Sequence, residues 1–229
     1  MDLVTIKLSG RVFNDINNIS RYVDIVTGFR KRGTLIAIVT GGGDTARRYI
    51  EMGRQLSLSE AANDMLGIEA SRLNAMLLIH AINRRGGGIY PTVVTSLEEA
   101  GRAWSSTGFI AMGGLQPGQS TTMVATLVSE YLGIPTIINC ANIDGLYARD
   151  PMIDPTATRI PKATISDVEK ILEHSANIIA GTYELIDKWA LSIMKRSRIS
   201  MYIIDGKNPN ALESVLAGKS DVGSIIVPY

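Results

Sequence analysis

The amino-acid sequence predicts an α/β protein, a three-layer αβα sandwich with a largely parallel central sheet. Two observations lead to this prediction. Apolar runs of strand length alternate with segments of helical period along the chain, as in βα units packed around a parallel sheet. The chain also has 229 residues, of which 45% are apolar, enough to build one sizeable domain with a full core.

The strand candidates are apolar runs at residues 3–8, 34–39, 109–112, 136–140, 201–204 and 224–227. The helix candidates are residues 16–31, 44–55, 61–83, 97–105, 121–132, 167–174, 185–196 and 209–216. Ser166 followed by Glu169 matches a capping box, in which each side chain satisfies a backbone N–H at a helix start. This pair predicts where the helix near residue 167 begins.

A weak internal boundary lies near residues 133–160, which are rich in proline, aspartate and turn-forming residues. Apolar residues continue through this stretch, so it is interpreted as a junction between two lobes and not as a flexible linker. We therefore expect one domain over residues 1–229, with an N-terminal lobe of about residues 1–132 and a C-terminal lobe of about residues 133–229.

Composition excludes several classes of protein. The net charge of +1 argues against a nucleic-acid-binding protein, which usually carries a strong basic excess. The single cysteine, Cys140, cannot form an intramolecular disulfide and fits a reducing compartment. The N-terminus is too short and polar for a signal peptide, and no apolar run approaches the ~20 residues of a membrane span. A soluble cytoplasmic protein with no membrane partner is expected.

Three glycine-containing loops each follow a strand candidate: KLSGR at residues 7–11, TGGGDTARR at residues 40–48 and GGLQPGQST at residues 113–121. In open parallel sheets, ligands bind beyond the carboxyl ends of the strands. Glycine allows the backbone to approach a ligand closely, and a helix N-terminus offers N–H groups to a phosphate. Repetition of this arrangement at three strand ends favours a phosphate site over ordinary tight turns.

Two cations stand beside these loops. Arg47 follows the three glycines at the start of a helix, and the planar fork of arginine suits phosphate. Lys7 lies near the end of the first strand candidate, just before the Ser-Gly pair, where a compact cation would neutralise charge on a transferring phosphoryl group. The simpler interpretations are a surface arginine and a strand-end lysine that reaches solvent.

The motifs of other nucleotide-binding proteins and of general-base catalysis are missing from the sequence. There is no GxxxxGK[ST], no GxGxxG after a strand and no protein-kinase signature set. His80 falls within a long apolar helix candidate and is interpreted as a packing residue, and Cys140 as a small buried hydrophobe. Transfer between phosphates needs no general base, because a phosphomonoester acceptor is already a dianion at neutral pH.

The same loops, together with NIDGLYARDP at residues 142–151, DPTA at residues 154–157 and AGTYEL at residues 180–185, resemble the amino acid kinase family. Within it they are most similar to archaeal UMP kinases, in order and over nearly the whole chain. The resemblance implies the amino acid kinase fold and an ATP- and Mg²⁺-dependent transfer from ATP to UMP, with the UMP site in the N-terminal lobe and the ATP site in the C-terminal lobe.

The resemblance also assigns roles to the matching positions. Lys7 and Arg47 would be the catalytic residues. The ATP-binding positions would be Lys7, Ser9, Gly10, Arg11, Gly43, Arg47, Asn142, Tyr147 and Asp150. The UMP-binding positions would be Gly42, Asp64, Leu115, Gln116, Pro117, Gly118, Gln119, Ser120 and Thr121. No protein side chain is implied as a metal ligand, since Mg²⁺ would be held through the nucleotide phosphates.

Three further points qualify or extend the resemblance. Ala141 stands where relatives often carry threonine, and Thr122 where many carry aspartate. The resemblance implies a homohexamer, a trimer of dimers, for which residues 61–83 supply a candidate interface helix that would equally suit the interior of the monomer. Asp64 has a simpler role open to it, as a first-turn carboxylate that complements the helix dipole.

Alternative functions remain at this stage. Another small-molecule kinase of the same fold is one, although kinases of isopentenyl phosphate usually carry a histidine beside the glycine run, where this chain has Thr40. A protein that stores oxyanions and a regulatory nucleotide-binding module are the others. Retention of both Lys7 and Arg47 favours catalysis over storage.

Overall fold

The computed structural model describes residues 1–149, 151, 153–174, 186–219 and 221–229. Its strands are β1 (Leu3–Leu8), β2 (Leu35–Thr40), β3 (Phe109–Met112), β4 (Thr136–Ala141), β5 (Leu146–Tyr147), β6 (Arg159–Ile160), β7 (Lys162–Thr164), β8 (Ser200–Asp205) and β9 (Ser224–Val227). Its helices are α1 (Ile16–Lys31), α2 (Gly43–Gln55), α3 (Glu60–Arg84), α4 (Leu97–Thr107), α5 (Thr121–Leu132), α6 (Ile165–His174), α7 (Lys188–Arg196) and α8 (Pro209–Leu216).

The described strands form a seven-stranded sheet in the order β3-β2-β1-β4-β8-β9-β7, with β5 and β6 as a separate antiparallel pair. Strands β3, β2, β1, β4 and β8 are mutually parallel, and β9 runs antiparallel to β8. The strand order reverses at β1, which has β2 on one side and β4 on the other. The carboxyl ends of these strands therefore open a crevice at a topological switch point.

Two apolar cores lie on opposite faces of the sheet, which confirms the predicted αβα layers. On one face Ile6, Ile38 and Ile138 pack against α1, α3 and α8. On the other face Val39 and Ile203 pack against α4, α5, α6 and α7. The strands are buried on both sides, and this is why they are nearly continuous apolar runs and not alternating ones.

The predicted strand and helix bounds are confirmed to within two residues for every element that lies wholly in the described part of the chain. The predicted helix at 185–196 begins outside it, and its described part is α7. Short elements were missed: β5, β6, β7 and a 3₁₀ helix at Gly10–Asn14. Two or three residues are too few to show a period, and the 3₁₀ helix was interpreted as loop.

Side-chain caps account for most helix starts. Asp15, Ser59, Ser96, Ser120 and Asp187 each accept a backbone N–H two or three residues on, at the starts of α1, α3, α4, α5 and α7 respectively.

The capping box predicted for α6 was placed two residues too late. Asp167 N donates to Thr164 Oγ1 (3.2 Å), and Thr164 N donates to Asp167 Oδ2 (2.9 Å). The pair is therefore Thr164 with Asp167, and Ser166 lies inside the helix. Both pairs have the spacing of a capping box, so the motif alone could not decide between them.

Cys140 lies on β4 and is fully buried, as predicted for a small hydrophobe. Burial raises the pKa of its thiol to about 12. The neighbouring Tyr22 hydroxyl donates to the Gly206 carbonyl (3.0 Å), and burial likewise raises the pKa of this phenol. The Cys140 thiol and the Tyr22 hydroxyl therefore both stay uncharged at neutral pH.

Helix α3 was not expected to resemble a membrane span, yet in the described chain it is long and apolar enough to pass as one by length and composition. Within the most apolar 18-residue stretch of α3, 39% is buried inside the protein. Ile68, Leu78, Ile79 and Ile82 belong to the core or are buried against it. The apolar character of α3 is accordingly that of a helix packed on the sheet.

Candidate active site

A cleft of about 690 Å³ lies at the carboxyl ends of β1, β2, β4 and β8. Most of the predicted ATP-binding and catalytic residues line it. The predicted residues in its walls are Lys7, Ser9, Gly10, Arg11, Gly42, Gly43, Arg47, Ser120, Thr121, Asn142 and Tyr147. These residues come from four separate stretches of the chain, and the fold brings them to one place.

The first two glycine loops interlock backbone against backbone. A Cβ atom added at Gly10 would collide with the main chain of Gly43, and one added at Gly41 would lie 2.8 Å from Gly10 N. Gly43 also has a φ of 62°, in the left-handed region that favours glycine. Close packing of the two loops therefore explains why these positions are glycine.

Ser9 joins the first loop to the far side of the cleft. Its backbone N–H donates to the Cys140 carbonyl (2.9 Å), and its hydroxyl donates to Asn142 Oδ1 (2.9 Å). The Ser9 hydroxyl also accepts from Arg11 N (3.4 Å) at the start of the 3₁₀ helix. The loop after β1 is thereby tied to the loop after β4.

Arg47 lines the cleft from the first turn and a half of α2. Its guanidinium donates to Asp44 Oδ1 at 2.6 Å, and Asp44 Oδ2 accepts from Asn14 Nδ2 at 2.6 Å. About half of each side chain of the ion pair is exposed, so the pair is only weakly stabilising and a phosphate can compete for the guanidinium. Gly42 provides no side-chain cap for α2.

Lys7 has Asn139 as its register partner on β4, and both line the cleft. Register partners on adjacent parallel strands point to the same face of the sheet, with the strands about 5 Å apart. Asn139 is fully buried, whereas Lys7 is partly exposed. The carboxamide of Asn139 is therefore next to the catalytic candidate at the floor of the cleft.

Part of the cleft wall was not predicted from the sequence. The residues not predicted are Gly41, Asn139, Ala141, Ile143, Asp144, Pro151, Asp205 and Lys207. Asp205 and Lys207 come at the end of β8, so the rule that ligands bind at carboxyl ends of strands was sufficient to find them. A single glycine, Gly206, follows β8, and this short turn was not recognised as part of the site.

Asp144 and Tyr147 form a polar pair on the same wall. The Tyr147 hydroxyl donates to Asp144 Oδ1 (2.9 Å), and the Asp144 carbonyl accepts from the Arg159 guanidinium at 3.5 Å. Burial, followed by the hydrogen bond to Asp144, raises the pKa of Tyr147. The predicted residue Asp150 and the stretch 180–185 lie outside the described residues.

The predicted UMP residues divide between the cleft and its surroundings, and Gly42, Ser120 and Thr121 line the cleft. Gly118 N donates to Asp64 Oδ2 at 2.8 Å, which brings the third glycine loop against the start of α3. Ser120 caps α5 and donates to Asp187 Oδ2 (2.8 Å), and Ser120 and Thr121 line the cleft itself. The first residues of the loop, 115–119, and Asp64 are absent from that lining. The loop thus runs from α3 to the mouth of the cleft.

Within the described residues, no three His, Cys, Asp or Glu side chains cluster in a way that would hold a metal ion. The cleft instead combines four cations, Lys7, Arg11, Arg47 and Lys207, with close-packed glycine backbone and two carboxylates, Asp144 and Asp205. Such a site suits an anion with several phosphate groups better than a tightly bound resident metal.

The fold and the cleft define an α/β protein that binds phosphate groups at the carboxyl edge of a parallel sheet. The chain belongs to the amino acid kinase family, whose sequence model matches residues 2–205. This assignment agrees with the resemblance carried by the glycine loops.

Individual relatives are similar over nearly their full length. The uridylate kinase of Sulfolobus acidocaldarius is 42% identical over 227 residues, covering 98% of this chain and 99% of the relative. That of Pyrobaculum calidifontis is 43% identical over 216 residues, covering 94% and 96%. The crystal structure of uridylate kinase from Archaeoglobus fulgidus aligns with a TM-score of 0.85 at 31% identity, covering 99% of this chain and all of that one.

Proposed function

We propose that this protein is a UMP kinase, which transfers the γ-phosphoryl group of ATP to UMP and releases UDP and ADP. The observation that carries the proposal is the convergence of Lys7, Arg47 and two interlocked glycine loops in one cleft. Full-length similarity to uridylate kinases supports UMP as the acceptor. The reaction belongs to pyrimidine nucleotide synthesis, and we place it in the cytoplasm.

The donor ATP would lie along the cleft, with its phosphates at Ser9, Gly10 and Arg11 and its adenosine beside Asn142 and Tyr147. Residues of both lobes line this cleft, so ATP would bridge the C-terminal lobe and the loop after β1. Gly43 and Arg47 would lie where the donor and acceptor phosphates meet. Asp150 is proposed as an ATP-binding residue on the resemblance alone.

The acceptor UMP would be held by the N-terminal lobe. Gly42 and Asp64 would contact it from α2 and α3, and the third glycine loop would enclose it. The proposed loop residues are Leu115, Gln116, Pro117, Gly118, Gln119, Ser120 and Thr121. Because Gly118 N already donates to Asp64, ribose hydroxyls would share or replace that contact when UMP binds.

The protein contributes to this reaction by positioning the phosphates and by supplying positive charge. The UMP phosphate is a dianion at neutral pH and needs no general base. Lys7 and Arg47 would offset the repulsion between the phosphates of the two nucleotides. They would also stabilise the negative charge that shifts between the donor and acceptor oxygens during transfer. Loop N–H groups would hold the phosphates in line.

Magnesium fits this site as a partner of the nucleotide phosphates. Mg²⁺ prefers oxygen ligands, keeps several waters and is usually held by one or two carboxylates together with phosphates. Asp144 and Asp205 line the cleft and present carboxylates there. When bound, the ion would supply charge neutralisation at the phosphates, and these two side chains would hold it or its waters.

We also propose a homohexamer built as a trimer of dimers. Helices α2 and α3 expose large apolar side chains on neighbouring surfaces, namely Tyr49, Met52, Met65, Leu73, Met76 and Leu77. A second copy of the chain would bury such a surface. Light scattering coupled to size-exclusion chromatography would give the mass of six chains, and a monomeric mass would refute the assembly.

The acceptor is tested by measuring ADP release with a panel of nucleoside monophosphates. UMP is expected to have the highest specificity constant, ahead of CMP, AMP and GMP. Equal specificity constants for UMP and AMP would refute UMP as the acceptor while leaving the kinase proposal intact. Binding of ATP with no turnover on any acceptor would point to a regulatory or storage protein.

A further inference from the structure

The segment that enters the third glycine loop lies directly on the backbone of α3. A Cβ atom added at Gly113 would collide with the Ser71 side chain and lie 2.6 Å from Arg72 N. One added at Gly114 would lie 2.8 Å from the Ile68 side chain. These two glycines therefore bring the start of the loop against the third and fourth turns of the helix.

Two polar side chains of α3 hold this segment. The Ser71 hydroxyl accepts from Gly114 N (2.7 Å) and donates to the Ile68 carbonyl (2.6 Å). The Arg72 guanidinium faces two successive carbonyls, with Nε 3.3 Å from Gly114 O and Nη2 3.5 Å from Leu115 O. The helix thus contacts both the donor and the acceptor groups at the entrance of the loop.

Arg72 is more withdrawn from solvent than the other arginines that form ion pairs in the described part of the chain. Only 19% of its side chain is exposed, and Glu69 one turn earlier accepts from Nη1 at 2.7 Å. The two carbonyl distances are long for hydrogen bonds, so the contact is chiefly the attraction of a partly buried cation for two carbonyl dipoles. Such attraction is stronger away from water than at the surface.

We infer that Arg72 is a positioning residue for the UMP loop and determines the affinity for the acceptor nucleotide. This inference rests on the proposed function, in which the loop encloses UMP. With the carbonyls of Gly114 and Leu115 held by the guanidinium, the loop needs less ordering when the nucleotide arrives. Preorganised loops bind more tightly because less conformational entropy is lost on binding.

The guanidinium shape is needed for this role. A planar fork reaches two carbonyls of adjacent residues at once, whereas a lysine ammonium is a single point on a flexible stem. Replacement by lysine should therefore keep the charge and lose part of the positioning. Replacement by methionine keeps much of the apolar stem and removes both the charge and the positioning contacts. Arg84, exposed in the last turn of the same helix, is a matched control.

The experiment measures dissociation constants for UMP and for ATP separately by calorimetry, with kcat at saturating UMP, on folded Arg72→Met, Arg72→Lys and Arg84→Met proteins. Arg72→Met should raise the dissociation constant for UMP about tenfold, because loss of a contact with a charged group changes affinity by about that factor. Arg72→Lys should fall between Arg72→Met and the wild type. The constant for ATP and kcat should stay within about threefold, and Arg84→Met should match the wild type.

Several results would overturn the inference. If the wild-type protein binds UMP and Arg72→Met binds it equally well, Arg72 does not position the loop, and the proposed function stands. An equal loss of affinity for UMP and ATP would make the role merely structural. If Arg72→Met does not fold, Arg72→Lys decides, because unchanged UMP affinity in that variant refutes a need for the fork. A wild-type protein that binds no UMP refutes the proposed function itself.

Discussion

The wall of the cleft at Gly10 and residues 41–43 is backbone packed against backbone, whereas the wall at Asp144, Tyr147 and Asp205 is made of side chains. In the first wall an added methyl group would clash with backbone atoms. In the second, the Tyr147 hydroxyl rests on Asp144, and Asp205 accepts from Lys207 N (2.8 Å). Side chains can change rotamer around a ligand, and interlocked backbone cannot. The glycine wall should therefore be intolerant of substitution and the aspartate wall adaptable.

The largest effect is expected for Gly10→Ala. The new methyl group would meet the main chain of Gly43 and push the two loops apart, which should cost about 3 kcal/mol or more of stability. Displacement of the phosphate-binding backbone by about 1 Å should lower kcat/KM at least 100-fold. Urea unfolding and steady-state kinetics measure the two effects.

Gly28→Ala is the matched control for that substitution. Gly28 lies within α1, where an added Cβ would find only Arg32 Nη1, at 3.9 Å. Alanine there should leave activity unchanged and stabilise the helix by up to about 1 kcal/mol. If Gly10→Ala behaves like Gly28→Ala, the two loops are not rigidly interlocked.

Lys7→Met should have the next largest effect, on turnover more than on binding. The substitution keeps much of the side-chain length and removes a charge that gains most when electrons shift during transfer. We expect kcat to fall about 100-fold while the dissociation constants for UMP and ATP change little. The same substitution at the exposed Lys207, which also lines the cleft, should lower kcat by less than about threefold.

A collapse of ATP affinity with kcat preserved at saturation would mean that Lys7 anchors the ground state, and the proposed role would be wrong. An equal loss of kcat in Lys7→Met and Lys207→Met would mean that Lys7 contributes no more to turnover than another cation of the cleft. Both constants must be measured on the same folded preparation.

The smallest effect is expected for Tyr147→Phe, on the adaptable wall. It removes the hydrogen bond to Asp144 Oδ1 and leaves the ring in place. A hydrogen bond of this kind contributes about 1 kcal/mol, so the KM for ATP should rise no more than about fivefold. A loss as large as that for Gly10→Ala would show that the aspartate wall is as rigid as the glycine wall.

The glycine wall was also the more predictable of the two from sequence. Runs of glycine after apolar strands carry their own signal, and the resemblance to a known family assigned Lys7 and Arg47 to the same place. Long elements such as α1 and α5 were predicted with the observed bounds because their helical periodicity spans several turns.

The residues that escaped prediction act through tertiary contacts that leave no local pattern. Arg72 looks like any arginine in a helix until the fold brings the Gly114 carbonyl to it, 42 positions away. Asp205 and Lys207 flank a single glycine, Gly206, which is a weak signal on its own. The Thr164–Asp167 cap could not be told from its neighbour, since both pairs have the same spacing.

Alkylation of Cys140 would measure how often this fold opens. A thiol that is fully buried and has a pKa near 12 is almost all protonated and cannot meet an alkylating reagent while β4 stays in the sheet. It is the only cysteine in the chain, so each labelling event reports one exposure of the strand that leads into Asn142. The rate of labelling therefore measures how often β4 becomes exposed, and nucleotides that bind the folded protein should slow it.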